Sequence, residues 1–209
     1  MKNGLFITVE GLDGSGKTTQ VLGIKKYFQD KNIEPVMLRE PGGTEIGEKI
    51  RHILLDAKNV EMDSVAEMLL YAASRAQNVA EKVLPALEAG KVVICDRFID
   101  SSVVYQGYGR ELDVDEVYNV NLAAVRHRLP DVTIFLDKNP EESLKRRKEA
   151  TAADRLENEK MDFHIRVYKG YMELCRKYPE RIKRFDAEES IETIREKITA
   201  ALDKILERK

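Results

Sequence analysis

The sequence has no tryptophan, only two cysteines and no large excess of either charge. The two cysteines, Cys95 and Cys175, lie far apart and form no CxxC pair, which favours a reduced, intracellular setting. The 35 basic and 37 acidic residues give a formal net charge of −2, which argues against a dedicated nucleic-acid-binding protein. No uncharged apolar run approaches the ~20 residues of a membrane span. The run from Leu5 to Val9 leads straight into Glu10 and does not read as a signal peptide. We therefore expect a cytoplasmic protein that binds neither nucleic acid nor membranes.

Short apolar, β-branched runs alternate along the chain with longer stretches of helical pattern. The runs predict strands at residues 5–9, 35–38, 91–95, 132–136 and 181–185. The helical patterns cover residues 17–30, 44–56, 62–89, 113–127, 140–149, 155–178 and 189–207, and Pro85 can bend the third of them. Because buried strands that alternate with helices form parallel sheets, we expect one α/β domain over residues 1–209. Its sheet would have about five strands, with helices on both faces.

A glycine-rich motif follows the first predicted strand and opens the first predicted helix. Gly11-Leu12-Asp13-Gly14-Ser15-Gly16-Lys17-Thr18 fits GxxxxGK[ST], and Thr19 follows it. The glycines let backbone N–H groups turn towards a phosphate, and the helix N-terminus favours negative charge. Lys17 can reach the β- and γ-phosphate oxygens, while the Thr18 hydroxyl suits Mg²⁺. The strand, loop and helix together predict a P-loop that binds a nucleoside triphosphate.

The rest of the sequence limits the class of nucleotide-binding protein to which this chain can belong. A regulatory GTPase needs an NKxD motif, which is absent, and a motor ATPase is usually larger. A small P-loop kinase remains, so the other motifs must name the acceptor of the phosphoryl group.

The end of the third predicted strand carries residues suited to an acceptor phosphate. Asp96 is placed to lie near Mg²⁺, and Arg97 beside it can hold a phosphate with two hydrogen bonds. In an open parallel sheet, ligands bind outside the carboxyl ends of the strands, so this segment should face the P-loop. The alternative is that Arg97 forms a structural ion pair with Asp96 or Asp100.

Two further segments add candidate ligands, each with a plainer alternative. Arg39 to Thr44 reads Arg-Glu-Pro-Gly-Gly-Thr, which brings backbone and a cation close to a ligand or simply forms a tight turn. Glu67, Tyr71 and Arg75 share one helix face through i, i+4 spacing. Tyr71 could stack on a base that Arg75 hydrogen-bonds, or Tyr71 could pack in the core with Arg75 at the surface.

Taken together, these motifs resemble the bacterial thymidylate kinase family over almost the whole chain. The matching segments are Phe6 to Thr19, Arg39 to Thr44, Tyr71 to Gln77 (YAASRAQ), Asp96 to Gly107 (DRFIDSSVVYQG) and Asp154 to Glu157 (DRLE). The resemblance implies a P-loop kinase with a short helical lid at about residues 141–157. It implies transfer of the ATP γ-phosphoryl group to dTMP, giving dTDP for dTTP synthesis, with Mg²⁺ and usually as a homodimer.

The resemblance also implies roles, position by position. For the acceptor, Tyr71 matches the ring that stacks on thymine, and Arg75 matches the arginine that contacts the base. Arg97, with Arg39 nearby, matches the arginine that holds the acceptor phosphate. Asp13 matches the acid near the 3′-hydroxyl, and Tyr105 the ring that favours deoxyribose. Ser102 and Gln106 line the same pocket. Residues 11–19 and Arg146 are the implied ATP ligands, and Thr18 and Asp96 the implied metal ligands.

The source of the cation that spans the transferring phosphoryl group stays open. Some family members carry an arginine inside the P-loop, where this sequence has Gly14-Ser15. The lid supplies Arg146, Lys148 and Arg155 as candidates, and residues 150–153 replace a stretch that often holds another arginine. The basic run at 145–148 could instead be a solvated helix face, while flanking glutamates make nucleic-acid binding improbable.

Two other functions remain as alternatives. The acceptor could be another nucleoside monophosphate or a deoxynucleoside, which the residues around the base and sugar would decide. The chain could also be a nucleotide-dependent binding module that is not an enzyme, although two substrate sites and a basic lid argue against it.

Overall fold

The structure is a computed structural model that describes residues 4–150, 155–156 and 158–207, without the side chains of residues 148–150. Several sequence predictions therefore lie outside the described residues. These are the side chain of Lys148, the stretch 151–153, and Asp154 and Glu157 of the DRLE motif.

Within the described residues, the centre of the fold is one parallel sheet of five strands, as the apolar runs predict. The strands are β1 (Leu5–Glu10), β2 (Val36–Arg39), β3 (Val92–Asp96), β4 (Val132–Asp137) and β5 (Ile182–Asp186). Their order across the sheet is β2-β3-β1-β4-β5, with every neighbouring pair parallel. Because β1 and β3 are adjacent, the P-loop after β1 lies beside the Asp96-Arg97 segment after β3.

The helices surround this sheet. They are α1 (Lys17–Asp30), α2 (Glu45–Leu55), α3 (Ser64–Asn78), α4 (Leu84–Glu88), α5 (Ile99–Ser102), α6 (Val114–Ala124), α7 (Pro140–Ala150), α8 (Met161–Lys177) and α9 (Ile191–Leu206). A π-helical segment, Val79–Val83, joins α3 to α4, and a second one, Val103–Gly109, continues α5.

Two predictions about helices need correction. The sequence pattern places a helix start at residue 155, but α8 begins at Met161. Arg155 and Leu156 are instead held by contacts with the rest of the protein, with 7% of each residue exposed. The helical stretch from Ile99 to Gly109 was not predicted as a helix at all, because Val103, Val104 and two glycines weaken the helical pattern.

Alternating side chains of the sheet fill two separate cores. Phe6, Val93 and Phe135 belong to one core, which includes residues of α3 and α8. Leu5 and Ile7 belong to the other, which includes residues of α1 and α9. The sheet is therefore covered on both faces, which leaves the carboxyl ends of its strands for ligands. In the part of the chain that is described, no helix has the length and apolar character to cross a membrane.

Candidate active site

The loop from Gly11 to Gly16 connects the end of β1 to the start of α1, where Lys17 and Thr18 follow. Gly16 has a φ of 94°, in the left-handed region that glycine adopts freely. Lys17 Nζ lies back over the loop and donates to the carbonyl oxygens of Gly11 at 3.1 Å and Leu12 at 2.9 Å. The first N–H groups of a helix have no partner within that helix. The ammonium group and the helix N-terminus therefore lie side by side, an arrangement that suits an anion.

Asp13 connects this loop to the segment after β3. Arg97 Nη2 donates to Asp13 Oδ1 at 2.6 Å, and Lys17 Nζ lies 3.4 Å from the same oxygen. Arg97 also donates to Ser101 Oγ at 3.1 Å and to the Tyr105 hydroxyl at 3.3 Å. The ion-pair partner of Arg97 is thus Asp13, and not Asp96 or Asp100 as the alternative interpretation supposed.

The charges in this cluster shift one another's protonation equilibria. Burial alone would raise the pKa of Asp13, but Arg97 and Lys17 outweigh it and hold that pKa below its ordinary value. Burial, together with the charge of Arg97, lowers the pKa of Lys17. Burial alone would lower the pKa of Arg97, but the charge of Asp13 helps to raise that pKa above its ordinary value. Asp13 is therefore ionised near neutral pH, and its lowered pKa makes it a weak general base.

The turn after β2 both caps a helix and approaches the same region. The Glu40–Pro41 peptide bond is cis, and Gly42 and Gly43 have φ of 118° and 87°. The Thr44 hydroxyl accepts from Gly47 N at 3.0 Å and so caps α2. The segment is therefore the tight turn that one interpretation favoured, and its first residues also line the cavity described below.

Arg75 on α3 is buried, with 1% of its surface exposed, so the interpretation that placed it at the surface is wrong. Its Nε donates to Glu40 Oε2 at 2.6 Å. The Nη1 atom donates to Ser102 Oγ and Asn121 Oδ1, and Nη2 donates to the Phe98 carbonyl oxygen. Among the described residues, four of the five guanidinium protons thus have acceptors, which leaves one for a ligand.

Glu67, one turn before Tyr71 on α3, binds three side chains from later in the sequence. Gln106 Nε2 donates to it at 2.8 Å, and Arg110 Nη2 donates at 3.0 Å. Arg155 Nη2 lies 2.6 Å from Glu67 Oε2, and Arg155 Nε donates to the Leu54 carbonyl oxygen. The Oε1 atom of Gln106 is buried without a protein partner among the described residues, so it is available to a ligand.

The P-loop, the turn after β2, α3 and the segment after β3 contribute residues to one cavity. Its volume is about 470 Å³, which is the size of a small-molecule site. Seven cationic side chains but only three carboxylates line it, which suits phosphate groups. The lining includes Asp13, Gly14, Gly16, Lys17, Thr18, Arg39, Glu40, Pro41, Arg51, Tyr71, Arg75, Asp96, Arg97, Ser101, Ser102, Tyr105, Gln106, Arg146, Arg147 and Leu156.

The lid residues divide between two places. Arg146, which is exposed, and Arg147 reach the cavity from α7. Arg155 does not line the cavity, because Glu67 and the Leu54 carbonyl hold it. The structure therefore does not bring Arg155 to the P-loop, contrary to its predicted catalytic position, whereas Leu156 beside it covers part of the cavity.

Thr18 and Asp96 are both cavity residues, as a shared metal ion requires. The Oδ1 atom of Asp96 is buried and has no hydrogen-bond partner among the described residues. In those residues no group of three or more His, Cys, Asp or Glu side chains could form a protein-only metal site. One carboxylate and one hydroxyl fit Mg²⁺, which usually keeps several waters and binds substrate phosphates.

Most predicted site residues therefore meet at one cavity, with five exceptions. Arg155 lies away from it, while Gly11, Leu12 and Ser15 support the loop and the exposed Thr19 lies on α1. Sequence reasoning missed Arg51, which lines the cavity and donates to the Pro41 carbonyl oxygen at 2.9 Å. Arg51 comes three residues after Glu48, the partner of Arg39, and that helical spacing was the available signal.

Comparisons with known proteins identify the family of this chain. A family model described as Thymidylate kinase matches residues 9–198. The chain is 48% identical to a thymidylate kinase of Clostridium novyi (strain NT), over 97% of this chain and 100% of that relative. It is 49% identical to a thymidylate kinase of Thermoanaerobacter sp. (strain X514), over 97% of this chain and 99% of that relative. The crystal structure of thymidylate kinase from Ehrlichia chaffeensis superposes with a TM-score of 0.79 and 32% identity, covering 96% of this chain and 99% of the other.

Proposed function

This chain belongs to the thymidylate kinase family, and we propose that the cavity at the carboxyl ends of β1 and β3 is where it acts. It is an ATP:dTMP phosphotransferase that transfers the γ-phosphoryl group of ATP to dTMP. The observation that carries the location is the 2.6 Å contact between Asp13 and Arg97. That contact joins the nucleotide loop to the acceptor segment within one cavity.

The P-loop binds the donor nucleotide. The N–H groups at the start of α1 and the Lys17 ammonium hold the β- and γ-phosphates, where negative charge develops during transfer. Thr18 and Asp96 would hold a Mg²⁺ ion beside the phosphates. When bound, the ion would neutralise negative charge on the phosphate groups.

The acceptor occupies the part of the cavity that Tyr71, Arg75 and Arg97 line. Arg97, with Arg39 and Arg51, holds the phosphate of dTMP. Tyr71 stacks on the base, and the remaining Arg75 proton donates to a base carbonyl.

The sugar and base edges are matched by neighbouring groups. Tyr105 lies against the 2′ position and Asp13 near the 3′-hydroxyl. Ser102 orients Arg75, since its hydroxyl accepts from that guanidinium at 2.8 Å. The free Oε1 atom of Gln106 accepts from the polar edge of the base.

Positioning and charge supply the catalysis, because the attacking phosphate oxygen of dTMP is already ionised at neutral pH. No strong general base is required, which agrees with the lowered pKa of Asp13. Arg146 supplies the lid cation that spans the transferring phosphoryl group, and Arg147 lies beside it at the cavity. We assign Arg155 to holding the lid end in place instead.

At the level of the whole protein, we propose one kinase domain over residues 1–209, with a lid at about 141–157. The continuous five-stranded sheet supports a single domain. We also propose that it works in the cytoplasm as a homodimer, supported by the absence of a membrane-spanning helix from the described residues and by exposed apolar side chains on α2 and α3.

The test of the acceptor site is Arg97→Ala in a coupled assay of ADP release with ATP and Mg²⁺. We expect kcat/KM for dTMP to fall about 100- to 1,000-fold, because a charge-assisted phosphate contact is lost. The KM for ATP should change less than about threefold. Arg184→Ala is the matched control, since Arg184 pairs with Asp137 outside the cavity.

The same assay separates the alternatives when it is run with dTMP, dUMP, UMP, dCMP, AMP and GMP. Preference for dTMP, lost in Arg97→Ala, supports the assignment. Unchanged dTMP kinetics in Arg97→Ala would place the acceptor phosphate elsewhere. Preference for another acceptor would overturn the roles of Tyr71 and Arg75, and a lack of ADP release with every acceptor would favour a binding module.

A further inference from the structure

Glu10, the last residue of β1, is completely buried directly before the P-loop. It does not line the cavity, and nothing in the proposed mechanism uses it. A buried carboxyl group is costly unless hydrogen bonds compensate for the lost water. The groups around Glu10 therefore show which hydrogen bonds compensate for its burial.

Four donors converge on the Glu10 carboxylate. Phe98 N donates to Oε1 at 2.7 Å and Ser101 N at 3.3 Å. The Ser101 hydroxyl donates to Oε2 at 2.6 Å, and the Tyr171 hydroxyl donates to the same oxygen at 2.8 Å. A carboxylate accepts all of these bonds at once, whereas an amide would replace one accepting oxygen with a donor.

Three of those bonds hold the segment that carries Arg97. Phe98 precedes α5 and provides no side-chain cap for it, so Glu10 accepts from the N–H groups at the start of this helix. Arg97 itself has a φ of 67°, in the left-handed region that a non-glycine residue rarely adopts. Such a conformation persists only where surrounding contacts enforce it, and Glu10 binds the residue that follows.

Ser101 relays the effect of Glu10 to the guanidinium group. Its hydroxyl proton is directed at Glu10 Oε2, so its lone pairs are left to accept from Arg97 Nη1 at 3.1 Å. A hydroxyl has only one proton to donate. The carboxylate thus prevents Ser101 from presenting that proton to the cationic group.

We propose that Glu10 is a positioning residue for the acceptor phosphate, acting through Ser101 and the backbone of Phe98 to fix the guanidinium of Arg97 in the cavity. Glu10 touches neither substrate. The inference rests on the proposed role of Arg97, and it adds a function for a buried group outside the site.

The test compares Glu10→Gln, Ser101→Ala and Ser101→Thr at pH 8, with KM measured separately for dTMP and ATP. Glu10→Gln and Ser101→Ala should each raise the KM for dTMP about 10-fold, the size of one charge-assisted hydrogen bond. The KM for ATP should stay within about twofold. Ser101→Thr keeps the hydroxyl and should restore the KM for dTMP. The effect of the double variant should be smaller than the product of the two single effects, because part of the effect of Glu10 passes through Ser101.

Tyr171→Phe is the matched control for general damage to this buried cluster. It removes a donor to the same carboxylate and a hydroxyl 3.1 Å from Ser101 Oγ, while the side chains of Glu10, Ser101 and Arg97 are all kept. Its KM for dTMP should stay within about twofold of the wild-type value. Melting temperatures identify variants that fail to fold, and Glu10→Asp, which keeps a carboxylate but shortens its reach, then takes the place of Glu10→Gln.

Arg97→Ala is measured alongside so that two failures can be told apart. If Arg97→Ala raises the KM for dTMP but Ser101→Ala does not, the positioning role of Glu10 is wrong and the acceptor site stands. If Arg97→Ala leaves that KM unchanged, the proposed acceptor site fails first. Equal rises in both KM values, or a rise in Tyr171→Phe, would indicate a merely structural cluster.

Discussion

Arg75 and Glu40 show how single buried charges organise this site. The two side chains are 1% and 2% exposed, and their ion pair measures 2.6 Å. Burial raises the pKa of Glu40, although Arg75 opposes the shift. A buried pair contributes little net stability compared with apolar residues, but removal of one partner strands the other charge. The pair is therefore better explained by the orientation it gives to the last Arg75 proton.

Glu10 allows a prediction about stability and pH. Burial, reinforced by the charge of Asp100, raises its pKa from 4.5 to about 7, while Arg97 partly opposes the shift. Between pH 4.5 and about pH 7, the folded state binds more protons than the unfolded state. The free energy of unfolding therefore falls as the pH rises through this range. This contribution is fully present below pH 4.5 and is lost as the pH passes 7.

Glu10→Gln removes that titration. From pH 5 to 8, the wild type should therefore lose on the order of 1–3 kcal/mol of stability relative to the variant. Urea unfolding at several pH values measures this difference. Parallel stability curves for the two proteins would contradict the raised pKa.

At the scale of elements, Glu67 connects α3 to two segments that lie far apart in the sequence. It binds Arg110 after the second π-helical segment and Arg155 before α8, and Arg110 also pairs with Glu159. Glu67→Gln should loosen residues 155–156 and 158–160, because two arginines lose a buried carboxylate. Trypsin cleavage after Arg155 should become at least about 10-fold faster, and the KM for dTMP should rise because Leu156 lines the cavity.

Glu81→Gln controls for loss of a carboxylate in the neighbouring helical segment. Glu81 is 42% exposed, and its ion pair with Lys82 measures 3.4 Å. Such a surface pair contributes little, so loss of the Glu81 carboxylate should change neither the cleavage rate nor the KM for dTMP. Equal cleavage rates in wild type and Glu67→Gln would show that this carboxylate does not hold the lid end.

The sequence predicted the elements better than their irregularities. The helix at 62–89 is present from Ser64 to Glu88, and it widens into a π-helical segment just before Pro85. Proline lacks an N–H and crowds the carbonyl four residues earlier, and the wider turn accommodates it. The helix from Ile99 was missed because tertiary packing, including Gly109 against Phe163, overrides weak local propensity.

The site divides in the same way. Lys17, Asp96 and Arg97 were predictable because short motifs at strand ends fix their place on the sheet edge. The partner of Arg155 was not predictable, since Glu67 is 88 residues away and pairs across the fold. Local spacing carries no information about such a pair, which is why Arg155 was placed at the phosphates.

At the scale of the whole molecule, α2 and α3 expose apolar side chains that a homodimer would cover. Ile46 and Ile53, seven residues apart, share one face of α2, and Val65 and Leu69 share one face of α3. Leu69→Lys with Ile53→Lys should convert a species of twice 23.9 kDa into one of 23.9 kDa in sedimentation equilibrium. The control is Leu22→Lys, which changes an exposed leucine of α1 and should leave the mass unchanged. A wild-type mass of 23.9 kDa would rule out the dimer.

The contact between Gly14 and α7 restricts which residues could occupy position 14 of the P-loop. A Cβ atom at position 14 would lie 2.0 Å from the Ser143 carbonyl oxygen, inside the lid helix backbone. A side chain at this position would therefore displace α7, which carries Arg146. An arginine at position 14 of the P-loop would thus require a matching change in the position of α7.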